Sequence, residues 1–69
     1  MAAKDCIKKA RYKLGLTQEE FGQLLGISKT LICFYENGIR SPNFKTIRRI
    51  VDKLKEKGIK YTYENLKDK

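Results

Sequence analysis

Two helix-starting residues, Thr17 and Ser28, stand close together, and Gly26-Ile27-Ser28 is the whole connection between the segments they open. Two short helices joined by so tight a turn cross at a steep angle, which demands particular residues. Thr17-Gln18-Glu19-Glu20 has the pattern of a capping box: the Thr17 hydroxyl accepts from the Glu20 amide and the Glu20 carboxylate reaches back to the Thr17 amide. Leu16 and Phe21 flank the cap as a hydrophobic staple. Phe21, Leu24 and Leu25 form an inner face, and Gly26 ends that helix after about two turns by supplying a positive φ. Ser28 then caps a third helix, with Ile27 and Ile32 spaced as its staple, and Asn37-Gly38 stops it. Gly22 sits mid-helix, where glycine is worse than alanine by about 1 kcal/mol. A small residue is required there if the third helix packs against that spot.

Further helices flank this pair. Residues 5–14 place Ile7, Ala10, Arg11 and Leu14 on one face, and Gly15 follows as a stop. Pro42 and Asn43 introduce a segment in which Phe44, Ile47, Ile50, Val51 and Leu54 keep helical spacing, so Phe44 is expected in the core; Gly58 closes it. Arg48, Arg49 and Lys53 read as its solvated face. The tail is open to two readings. Ile59, Tyr61 and Tyr63 alternate with polar residues as in a short strand, whereas Thr62 suits the cap of a last helical turn ending at Leu66; an extended piece at 59–61 followed by a short helix is the preferred one. The fold expected is all-α, in a single domain spanning 1–69 with its core in 5–58 and a tail in 59–69.

Composition narrows what such a chain does. The 69 residues are 41% hydrophobic, enough for a packed core, and no apolar run approaches the ~18 residues of a membrane span. The N-terminus lacks the apolar core of a signal peptide, so a cytoplasmic location is expected. With no His, imidazole–zinc sites and His-activated nucleophiles are excluded, and Cys6 and Cys33 are too few for a disulfide scaffold. There is no glycine-rich phosphate loop either, so neither an enzyme nor a cofactor or metal is expected. Sixteen Lys+Arg against eight Asp+Glu give a net charge of +8. Five bases and one acid lie in residues 1–16, one base and three acids in 17–38, and ten bases and four acids in 39–69. A slightly acidic middle between basic flanks suits a partner rich in phosphate, and equally a lysine surface that only solubilises.

The tight pair 17–37 is a helix-turn-helix, whose third helix is held with its outer face free to enter a major groove. The string Leu16-Thr17-Gln18-Glu19-Glu20-Phe21-Gly22-Gln23-Leu24-Leu25-Gly26-Ile27-Ser28, followed by Ile32, Tyr35-Glu36-Asn37-Gly38 and Pro42, resembles the Cro/C1-type (XRE) helix-turn-helix family. The resemblance runs from about Ile7 to Leu66. It implies a five-helix, lambda-repressor-like DNA-binding domain that acts as a homodimer on a partly palindromic double-stranded operator, as a transcriptional repressor or Cro-like regulator.

Site residues follow residue by residue. Ile32 and Tyr35 face inward, so Lys29, Thr30, Cys33 and Phe34 face outward, with Leu31 at the margin, and the resemblance places base reading there. Lys29 suits guanine O6/N7, and Thr30 a base edge or a phosphate. Phe34 stands where the family has a polar or basic residue; it meets a thymine methyl, or else folds over the surface or lies in a protein contact. Cys33 is read as a plain small residue in preference to a redox switch. The family's phosphate positions carry over to Gln18, Asn37, Arg40, Ser41, Asn43 and Lys45, with Phe44 offering only its amide; the alternative for Gln18 is an ordinary exposed residue. Arg11 on an apolar face and Glu36 are expected to form a structural ion pair, the rival being Arg11 on a phosphate. Tyr61, Tyr63 and Leu66 exceed what so small a core needs and are candidates for a dimer contact. The alternative function is a protein-interaction adaptor or an antitoxin, with a toxin or other protein as partner, which Leu31, Cys33 and Phe34 on the outer face favour.

Overall fold

The computed structural model, which describes residues 3–66, has five helices: α1 (Ala3–Leu14), which begins two residues before the segment 5–14 read from the sequence, α2 (Gln18–Leu25), α3 (Lys29–Glu36), α4 (Phe44–Glu56) and the single turn α5 (Tyr63–Leu66). The capping box closes as expected. Thr17 Oγ1 accepts from the Glu20 amide at 3.1 Å, and the Thr17 amide donates to Glu20 Oε1 at 2.9 Å. Ser28 Oγ accepts from the Leu31 amide at 3.1 Å, and Asn43 Oδ1 from the Thr46 amide at 2.9 Å. Each bond satisfies an amide that the first helical turn would otherwise leave bare.

The α2–α3 turn is specified by two glycines for different reasons. Gly26 has φ 72°, a left-handed conformation that side chains resist. Gly22 is helical, but a Cβ there would stand 2.4 Å from the Ile27 carbonyl oxygen. The neighbour that forbids a side chain is therefore the backbone of the turn itself. Ile27 in turn donates its amide to the Gly22 carbonyl at 2.8 Å.

The core gathers one face from each helix: Cys6, Ile7 and Ala10 of α1, Phe21 and Leu25 of α2, Ile32 and Tyr35 of α3, and Ile47, Ile50 and Leu54 of α4. Each fully buried Leu, Ile or Phe contributes about 1.5–3 kcal/mol relative to exposure. The α2–α3 pair packs against α1 and α4, and α5 lies across α1 and α4 at the far side.

Two expectations are corrected here. Phe44 is not core: it is 56% exposed, because the buried seam of α4 begins one turn later at Ile47. Its ring instead packs edge-on against Tyr63, with centroids 5.3 Å apart, and the Arg48 guanidinium lies 5.8 Å over it. Leu66 is no dimer contact, being wholly buried in the protein's own core. The short-strand reading of the tail gives way to α5, and no strand forms among the described residues. Thr62 precedes the turn, with its amide donating to Asn65 Oδ1 at 2.9 Å. Residues 67–69 of the tail expected to pair lie outside the described residues.

Candidate nucleic-acid interface

The functional face is built around α3. Ile32 and Tyr35 anchor its inner side in the core, which turns Lys29 and Thr30 outward at its first turn, both exposed. Neither has a hydrogen-bond or ion-pair partner among the described residues. Cys33 and Phe34, one turn further, are half-buried. Leu31 packs against the core edge. The outer face of α3 therefore runs from free and polar at its start to partly covered and apolar at its end.

A network under that end fixes three helices together. Arg11 Nε donates to Glu36 Oε2 at 2.7 Å and Nη2 to Oε1 at 3.1 Å, a fork-to-fork pair, while Nη1 donates to the Leu16 carbonyl at 3.1 Å. The side chains are 13% and 2% exposed, so the pair is held away from water. The hydrogen bonds that Arg11 donates to Glu36, joined by the carboxylate's charge, outweigh burial and hold the guanidinium above its already high ordinary pKa. Gln18 Nε2 donates to Glu36 Oε1 at 3.1 Å. That residue, expected at a phosphate, thus has one amide hydrogen committed inward, leaving the second for a ligand.

The expected phosphate residues after α3 are not equally available. Asn37 folds back, its side-chain amide donating to the Cys33 carbonyl at 2.9 Å and lying 3.3 Å from Cys33 Sγ. Asn43 uses Oδ1 to cap α4. Ser41 is exposed. Arg40 and Lys45 are exposed, and among the described residues their side chains have no hydrogen-bond or ion-pair partner. Tyr61 and Tyr63 lie elsewhere, half-buried against the core, Tyr61 just before α5 and Tyr63 as its first residue.

Sequence reasoning missed one bond of Arg49. The residue is exposed, as a solvated face requires, and its Nη1 also donates to the Gly26 carbonyl at 3.2 Å, tying α4 to the α2–α3 turn. No local pattern announces such a bond, since its acceptor is a backbone carbonyl 23 residues away.

With Lys29 and Thr30 presented on a helix set across α2 by a three-residue turn, the arrangement matches a known design. A family model described as helix-turn-helix covers residues 7–61. The chain belongs to the helix-turn-helix family. Its type within that family is Cro/C1 (XRE), and it is a DNA-binding regulator. No curated protein and no solved structure is significantly similar to it. The helix-turn-helix match begins inside α1, runs through α4 and stops short of α5. Among the described residues no helix is long and apolar enough to cross a membrane.

Proposed function

We propose that this helix-turn-helix protein is a repressor or Cro-like regulator that binds a partly palindromic operator as a homodimer in the cytoplasm. The reading involves no catalysis and no cofactor. Lys29 and Thr30 read base edges in the major groove, with Cys33 and Phe34 making apolar contact further along α3. Gln18, Arg40 and Lys45 grip phosphate through side chains, joined by Asn37, Ser41 and Asn43 in the loop between α3 and α4. The observation that carries the reading is the unpartnered, exposed pair Lys29 and Thr30 at the start of α3. Polar groups held ready on a rigid helix supply affinity without first breaking bonds at home.

Selection from a random duplex pool, followed by salt titration of the winners, tests it. A palindromic motif with a steep fall of affinity in salt is expected. Flat enrichment would remove the operator. The dimer contact is assigned to Tyr61 and Tyr63, with exposed Phe44 against the Tyr63 ring. Tyr63→Ala should lower the dimer fraction in sedimentation, and an unchanged fraction would move the interface elsewhere.

A protein partner, such as a toxin, is the second reading. Ile39 is 65% exposed and Phe44 56%, two exposed apolar side chains that follow α3 in the chain. Binding of a protein that is insensitive to salt, with no duplex selected, would favour it.

A further inference from the structure

The loop that ends α3 is touched from α1. Lys4, in the first turn of α1, lays its side chain across Gly38: a Cβ on Gly38 would stand 3.3 Å from Lys4 Cδ and 3.9 Å from its Nζ. Gly38 is called for by its own φ of 73°, and the lysine's methylene stem lies over it. The next two amides, of Ile39 and Arg40, both point at the Phe34 carbonyl, at 2.9 and 3.4 Å, folding the loop onto the end of α3. Lys4 thus brings an ammonium from a distant part of the sequence to the loop that exposes Arg40. Lys4 is itself exposed and has no ion-pair or hydrogen-bond partner among the described residues.

Among the described residues of α1, nothing pairs with the Lys4 ammonium. The first turn is the positive end of the helix dipole, where Asp5 is favourable and a lysine is not. Lys8, one turn on, is a like-charged neighbour at i,i+4. Local conflicts of this kind concentrate where function sustains them.

We propose that Lys4 is a DNA phosphate contact, extending the basic rim of Arg40 and Lys45 from the α3–α4 connection onto α1. The proposal rests on the operator-binding reading above. A lysine ammonium on a flexible stem acts on phosphate as a point charge, so its contribution is blind to sequence and is released by salt.

The test is binding of one fixed random-sequence duplex by wild type, Lys4→Ala, Lys4→Gln, Lys4→Arg and Lys57→Ala, each at several salt concentrations. Lys57 lies at the opposite end of α4 from Lys45 and serves as the control for net charge. Both neutral Lys4 variants should bind more weakly, with a slope of log affinity against log salt shallower by about 0.9. Their deficit should therefore shrink about threefold between roughly 50 and 200 mM salt. Lys4→Arg should keep the wild-type slope, and Lys57→Ala should stay close to it. Neutral variants with wild-type slopes, or a Lys57→Ala slope that falls as far as theirs, would overturn the Lys4 contact while leaving the operator reading intact. A wild type that binds no duplex would overturn that reading and the contact with it.

Discussion

Glu36 holds three donors at once, two from Arg11 and one from Gln18, in a place almost closed to water. Removing one partner of such a pair leaves the other desolvated and charged, which typically costs about 3–5 kcal/mol. A core of this size rarely supplies more than ~3–5 kcal/mol in total. Glu36→Ala should therefore be largely unfolded at room temperature, as measured by urea titration of the circular dichroism signal. The double change Arg11→Met with Glu36→Leu should recover much of the loss, because no charge is stranded; a double variant as unstable as the single one would show that the pair's charge is not what matters. Lys29 and Thr30 present the contrasting case. Both are exposed and unpartnered, so Lys29→Ala and Thr30→Ala should fold nearly as wild type while weakening operator binding by ~1–3 kcal/mol each and relaxing base preference. Anisotropy against single-base variants of the selected site measures both effects, and undiminished affinity would take these residues out of base reading.

At the scale of elements, the α2–α3 turn is where substitution tests geometry most sharply. Alanine at Gly22 should gain about 1 kcal/mol of helix propensity. The new Cβ, however, would meet a backbone oxygen at 2.4 Å, and backbone cannot swing aside as a side-chain tip can. The clash should win: Gly22→Ala is expected to lower the urea midpoint by an amount equivalent to ~1–3 kcal/mol and to impair DNA binding by tilting α3. A stabilised Gly22→Ala would mean that the turn yields freely. The helices and their caps were legible in the sequence because they are local: Thr17, Ser28 and Asn43 bond amides three residues ahead. What was not legible is tertiary. Phe44 keeps the helical spacing of the core yet lies beyond it, and the bond from exposed Arg49 to the Gly26 carbonyl exists only once α4 is brought beside the turn. At the site, spacing alone separated Lys29 and Thr30 from the inward residues. Spacing does not disclose that Asn37 turns back onto Cys33, or that Gln18 shares Glu36 with Arg11.

For the molecule as a whole, the chain after α4 serves as a closing strap. Ile59 and Leu66 are buried, and α5 rests on both α1 and α4, so truncation before Ile59 would open the core rather than merely separate a dimer. Tyr61 lies within that strap and reports on it. Burial is the main cause that raises its hydroxyl above the ordinary value of 10.0. The folded protein then holds that proton more tightly than the unfolded chain does. The resulting stability is fully present below about pH 10 and is lost as pH rises through the folded-state value, since the unfolded chain releases its proton first. Tyr61→Phe keeps the ring in place and removes the titration. Urea midpoints measured from about pH 8 to 11 should fall less steeply for the variant than for wild type, with the two curves diverging only above about pH 10. Parallel curves would assign the alkaline loss to other groups and show that Tyr61 is as well hydrated in the folded protein as in the unfolded chain. Divergence would tie the strap's seating on α1 and α4 directly to the stability of the fold that presents α3.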